Sequence, residues 1–123
     1  MATDHLDLRN ESDSQNAEQP DADAFDWRNC WYPLSYVHDL DSNGPFKASL
    51  YDMPLVLFRG ADGELTCLKD VCPHRAAHLS DGEVRDGRIE CLYHGWQYGT
   101  DGQCVHIPQL PDRISIPDRA CVH

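Results

Sequence analysis

The chain has 123 residues, 41% of them hydrophobic, and a formal charge of −11, enough for one domain of ordinary size. No stretch approaches the ~18 consecutive apolar residues of a membrane-spanning helix, and no basic patch is present to hold nucleic acid, so a soluble protein engaging neither is expected. Six cysteines could form a disulfide framework only in a secretory setting, and the N-terminus has neither the basic start nor the apolar run of an export signal.

Residues 1–24 hold seven acids against one base, Arg9, and no aromatic residue. Such a segment cannot bury enough apolar surface to offset its chain entropy, so 1–24 reads as a disordered acidic leader and 25–123 as the folded domain. The leader takes a formal −6 with it and leaves the domain at −5, a mild acidity compatible with a basic partner.

Beyond the leader, short apolar or alternating runs recur between Gly, Pro and Asp turn signals, with no sustained helical period. Trp31–Leu34 reads as a first strand, Phe46–Tyr51 as a second and Leu55–Phe58 as a third. Arg59-Gly60-Ala61-Asp62-Gly63 then turns the chain into Glu64–Leu68, a hairpin with turn residues in the right place. Asp86-Gly87 leads into Arg88–Cys91, and Thr100-Asp101-Gly102 separates Trp96–Tyr98 from Cys104–Ile107. The fold class is therefore all-β.

Cys72-Pro73-His74 is followed, after sixteen intervening residues, by Cys91-Leu92-Tyr93-His94. Each pair puts a thiolate and an imidazole in one strand-end loop, so Cys72, His74, Cys91 and His94 can share a centre. Two thiolates and two imidazoles suit a closed zinc site or a [2Fe–2S] cluster in which two histidines replace two cysteines on one iron. Common zinc modules put at least two residues between their first paired ligands, whereas here only Pro73 intervenes; that splay suits a cluster better than one small ion. Cys30, Cys67, Cys104 and Cys121 are left as reduced, mostly buried apolar residues.

The boxes Cys72-Pro-His-Arg-Ala-Ala-His-Leu-Ser-Asp-Gly82 and Cys91-Leu-Tyr-His-Gly-Trp-Gln-Tyr98 resemble those of the Rieske proteins, in the form typical of the N-terminal domain of Rieske non-haem iron oxygenases. The resemblance covers about Trp31–His123. Cys30–Pro33, Leu50–Arg59 and Val105-His106-Ile107-Pro108-Gln109 look like the branch containing pheophorbide a oxygenase, chlorophyllide a oxygenase and a related plastid translocon protein.

The resemblance implies a Rieske-type antiparallel β-sandwich with the cluster held between two loops, Cys72 and Cys91 on one iron, His74 and His94 on the other. It implies an electron-transfer domain fed by a ferredoxin or reductase and delivering to the catalytic domain or subunit of an oxygenase. The mononuclear Fe(II) of such an enzyme needs two histidines and a carboxylate, for which only His106 and His123 remain beyond His94, so that site is expected outside this chain. Relatives of this kind continue past His123, so the domain is expected to be truncated at its C-terminal end. A free-standing Rieske ferredoxin-like carrier is the alternative. The setting implied is cytoplasmic, or plastid- or thylakoid-associated in a photosynthetic eukaryote.

High-potential Rieske proteins carry an extra cysteine in each ligand loop and a serine where Trp96 stands here, so a potential low in the Rieske range is expected. Arg75 reads as a shield, a contact for a partner carboxylate or a surface arginine. His78 reads as a surface or turn residue, Tyr93, Trp96 and Tyr98 as packing that keeps the cluster partly dry, and Gly82 and Gly95 as turn glycines.

Overall fold

A computed structural model describes residues 24–40 and 43–123, so the acidic leader lies outside the described residues except for Ala24. The described residues fall into two units, divided after Trp31. In the first, a 3-10 turn spans Trp27–Asn29, capped by Asp26, whose carboxylate accepts from Arg28 N at 3.0 Å. Side-chain oxygen at this position satisfies a free N–H of the first turn.

The second unit is built on two antiparallel sheets. One has three strands, β1 (Phe46–Leu50), β2 (Met53–Arg59) and β3 (Leu65–Lys69), in the order β1-β2-β3. The other has four, β4 (Glu83–Arg85), β5 (Arg88–Glu90), β6 (Gln97–Tyr98) and β7 (Cys104–His106), in chain order. Alternation along β1 places Phe46, Ala48 and Leu50 on its more buried face and Lys47 and Ser49 outside, the period-two pattern of a half-buried strand. Both sheets feed one core, with Val56, Phe58 and Leu68 from the first packed with Ile89, Tyr98 and Cys104 from the second. Phe58, Leu79 and Ile89 are at most 1% exposed, and burial of each stabilises the fold by roughly 1.5–3 kcal/mol. This is the antiparallel β-sandwich that the sequence leads one to expect.

The turns follow their chemistry. Asp86 and Gly87 have φ of 50° and 72°, the paired left-handed conformations that close a two-residue hairpin between strands of right-handed twist. Gly60–Glu64 and Gly99–Gln103 are near copies of one loop. In each, the first glycine's N–H donates to the last residue's carbonyl at 2.9 Å, and the aspartate accepts from that residue's N–H at 3.0 Å. The hairpin turns meet: a Cβ on Gly87 would stand 2.0 Å from Ala61 N, and one on Gly60 2.8 Å from Thr100 Cγ2. From this turn cluster β3 and β5 carry the chain to the two boxes at their other ends.

Residues 120–123 lie between the sheets. Gln103 bridges Cys121, Cys104 N–H donates to Ala120 O, and Lys69 N–H, at the end of β3, donates to His123 O at 2.8 Å.

Two expectations need correction. Trp31–Leu34 forms no strand: Trp31 is fully exposed, the backbone of the segment enters neither sheet, and Pro33 has no N–H to offer a ladder. Cys30, Cys67, Cys104 and Cys121 are free thiols as read, but Cys30 and Cys67 are exposed and Cys121 only partly covered; Cys104 alone is buried. Cys67 sits on an outward-facing position of β3, where alternation overrides the tendency of cysteine to be buried.

Candidate metal centre

The two boxes close with the same pair of backbone bonds. Ala76 N–H donates to Cys72 O and Cys72 N–H to Ala77 O, both at 2.8 Å; Gly95 N–H donates to Cys91 O at 2.9 Å and Cys91 N–H to Trp96 O at 2.8 Å. The fifth residue of each loop is left-handed, Ala76 at φ 58° and Gly95 at φ 74°. The loops are thus structural copies, with the histidine at the third position in one and the fourth in the other.

All four candidate residues come together. Cys72 and Cys91 are each 2% exposed, and the Cys72 thiol adds to the upward shift of the Cys91 thiol. The His74 and His94 rings meet edge to face with centroids 4.6 Å apart. His74 is exposed and lies flat on Trp96, centroids 4.3 Å apart and planes within 5°. His94 packs against Tyr93 at 4.1 Å. Burial pushes the Cys91 thiol up, while the backbone N–H groups of Tyr93 and His94 act the other way by favouring thiolate. Desolvation, and then the charges of His94 and Arg75, hold the His74 imidazole below its ordinary value, which favours the neutral form that ligates metal.

His94 Nδ1 is buried with no hydrogen-bond partner. Buried polar atoms are nearly always satisfied, so a lone pair held in this way beside a second imidazole and two thiols fits a site completed by metal. Among the described residues, no three His, Cys, Asp or Glu side chains converge tightly enough for a single ion. A two-iron cluster asks for only two donors at each iron.

The neighbours of the boxes do more than the sequence reading assigns them. Tyr98 is fully buried, and its hydroxyl lies 3.1 Å from Cys72 Sγ. Burial, then Cys72, raises its pKa far above the usual tyrosine value, keeping the O–H as a donor to the sulfur. Gln109 Nε2 donates to His94 O at 2.8 Å, and a Cβ on Gly95 would stand 3.2 Å from Pro108 Cγ. The Val105–Gln109 segment that marks the resemblance therefore buttresses the second box. Asp70, wholly buried, accepts from Ser80 N at 2.7 Å and from Ser80 Oγ at 2.5 Å, and His78 Nδ1 is 3.1 Å from the Asp70 carbonyl.

Two readings shift, and the reading of His78 as a surface or turn residue holds. Tyr93 is 61% exposed and shields little. Gly82 has φ −89° and is required by space, since a Cβ there would stand 1.9 Å from Glu90 O. His78 is half-exposed but tethered. The only sequence signal for Asp70 and Ser80 was their place, just before the first box and within it.

This fold, with its two copied loops, is that of an iron–sulfur domain, and the comparisons agree. The profile of the Rieske [2Fe–2S] domain matches residues 30–117. The chain is 44% identical over 115 residues to Protein TIC 55, chloroplastic, of Arabidopsis thaliana, covering 94% of this chain and 21% of that protein. It is 41% identical to the Arabidopsis thaliana Pheophorbide a oxygenase, chloroplastic, covering 85% of this chain and 21% of that one. The crystal structure of dicamba monooxygenase superposes with a TM-score of 0.70 at 39% identity, over 77% of this chain and 29% of that chain. The chain belongs to the Rieske [2Fe–2S] domain family, whose cofactor is the [2Fe–2S] cluster, and it spans about a fifth of the length of these curated relatives. Among the described residues no helix is long and apolar enough to cross a membrane.

Proposed function

We propose that residues 25–123 form the electron-transfer domain of a Rieske oxygenase, with Cys72 and Cys91 on one iron and His74 and His94 on the other. When bound, the cluster supplies reversible one-electron chemistry at a potential raised by its neutral imidazole ligands. The observation that carries the reading is the pair of copied loops presenting two buried thiols and two facing imidazoles, one with a buried, unsatisfied Nδ1. The exposed His74 ring is the edge through which charge enters or leaves, while Cys72 and Cys91 are shut away from water. Donor and acceptor follow from the class: a ferredoxin or reductase, and a mononuclear non-haem iron site elsewhere. The oxygenases among the relatives, named for chlorophyllide a and pheophorbide a, favour a chlorophyll-type tetrapyrrole as the substrate and a plastid as the setting.

The purified chain is expected to be red-brown, to contain two irons and two acid-labile sulfides, to accept one electron reversibly, and to form no oxygenated product alone. A colourless protein holding one zinc after anaerobic reconstitution would overturn the reading.

Tyr98→Phe tests the proposed sulfur ligand. Losing one net hydrogen bond of ~1 kcal/mol from the Cys72 sulfur corresponds to about 40 mV for a one-electron couple, for which tenfold is 59 mV. Protein-film voltammetry is expected to find the midpoint lowered by that order, and no change would mean that the hydroxyl does not reach a ligand.

A further inference from the structure

The net charge and the local charge around the exposed histidine have opposite signs. The chain as a whole carries −11, which suggests a basic partner. Beside His74, however, a cleft of about 260 Å³ is lined by Pro73, His74 and Trp96 on one side and Pro117, Arg119 and Ala120 on the other. It contains a guanidinium and no carboxylate. Arg75, the next residue after His74, is also exposed.

Three other arginines are engaged within the protein. Arg28 is paired with Asp26 at 3.1 Å, Arg85 with Glu83 at 2.9 Å, and Arg59 donates to Gly63 O at 2.8 Å. Arg75 and Arg119, like Arg88 and Arg113, make no ion pair or hydrogen bond among the described residues; Arg119 is set apart by its place on the cleft beside His74. The charge of Arg75 and Arg119 is therefore unspent and faces solvent next to the imidazole. The cleft is also held in shape. Proline fixes the backbone on both walls, Trp96 lies flat on His74, and Ala120 is tied by bonds of 2.9 Å to Pro117 O and from Cys104 N.

We infer that this corner is the docking site for an acidic electron-carrier protein, one of whose surface carboxylates enters the cleft and pairs with Arg119 beside His74. The inference rests on the electron-transfer reading above and adds to it the chemistry of the partner. Local charge decides because the Debye length at physiological salt is about 8 Å, so charges spread over the rest of the chain are screened while those at the contact are not. Charge pairs of this kind act chiefly on the association rate.

The test is stopped-flow electron exchange of the cluster-loaded full chain with two carriers, reduced plant-type ferredoxin as the acidic probe and cytochrome c as the basic one. Arg119→Glu is expected to slow transfer from ferredoxin about tenfold at ~0.1 M salt and to speed transfer to cytochrome c. Both effects should vanish near 1 M salt, where the Debye length is about 3 Å. Arg88→Glu changes the net charge equally, but Arg88 lines a different cleft, among the hairpin turns; it should change either rate less than twofold. If Arg119→Glu matches wild type, if Arg88→Glu is equally slow, or if the difference persists in 1 M salt and so belongs to the cluster's potential, the docking site is wrong. If wild type exchanges electrons with neither carrier, the electron-transfer reading falls, and the docking site with it.

Discussion

A His94→Ala chain is expected to emerge colourless, without iron or labile sulfide, and with a melting temperature lowered by more than 10 °C. His94 is the candidate whose environment is hardest to explain without metal, because its Nδ1 is buried and unsatisfied. Removing it takes one of two donors from the proposed histidine-ligated iron and leaves a cluster that cannot be retained. The structural consequence follows from the chain between the boxes. A bound cluster ties Cys72 and Cys91, and freeing a loop of that size returns roughly 3 kcal/mol of loop-closure entropy to the unfolded state. For a domain near 100 residues each kcal/mol moves the midpoint by about 4–8 °C. His78→Ala is the control that gives the experiment its force. His78 lies four residues from His74 and is the other histidine of the first box, but its Nδ1 is engaged with Asp70. That variant should keep its colour and lose about 1 kcal/mol or less. A red His94→Ala protein beside a colourless His78→Ala would show that the ligand set has been misassigned.

Much of this was legible in the sequence because the information was local. The hairpins follow from turn residues flanked by alternating runs, and Asp86-Gly87 and the two Gly-x-Asp-Gly loops adopt the geometry their composition requires. The four candidate ligands were legible because thiolate and imidazole at short spacing in a loop have few other uses. Trp31–Leu34 failed as a strand because aromatic composition suits a pleated surface but cannot supply a partner strand. Glu83–Arg85 passed unnoticed because three residues are too short for a period to register, and only their pairing with Arg88–Glu90 defines them.

What remained illegible depends on contacts between residues distant in the chain. Tyr98 reads as packing until its hydroxyl is found 3.1 Å from a sulfur 26 residues earlier. Gln109 is an ordinary loop glutamine until it meets the carbonyl of His94, fifteen residues away. The unpaired state of Arg119 is visible only once the sheets bring it beside His74. Chemistry-bearing residue types announce themselves in sequence, whereas the groups that orient them are common residues made specific by topology.

Asp70 is the strongest case of this, and Asp70→Ala is expected to destabilise the cluster-loaded chain by about 3–5 kcal/mol in urea denaturation, because two hydrogen bonds to a charged group, at about 1.5–3 kcal/mol each, are lost. The carboxylate is wholly buried and is held by Ser80 through both the backbone N–H and the hydroxyl. Two residues before Cys72, it fastens the end of β3 to the 3-10 turn Leu79–Asp81, and so closes the first box from behind. Alanine leaves both Ser80 donors without their acceptor and opens a void, whereas Ser80→Ala removes one hydroxyl, keeps the N–H bond and should cost about 1.5–3 kcal/mol, one hydrogen bond to a charged group. Asp70→Asn retains the shape and one acceptor oxygen and should fall between them. Since the total stability of such a domain is about 5–15 kcal/mol, the alanine variant is brought close to unfolding at ordinary temperature. Its first sign should be faster loss of iron to a chelator, because the Cys72 loop is the segment released. If Asp70→Ala stays within 1 kcal/mol of wild type and holds iron as long, the buried carboxylate is not what fixes the first box, and the copied backbone bonds of the loop must hold it unaided.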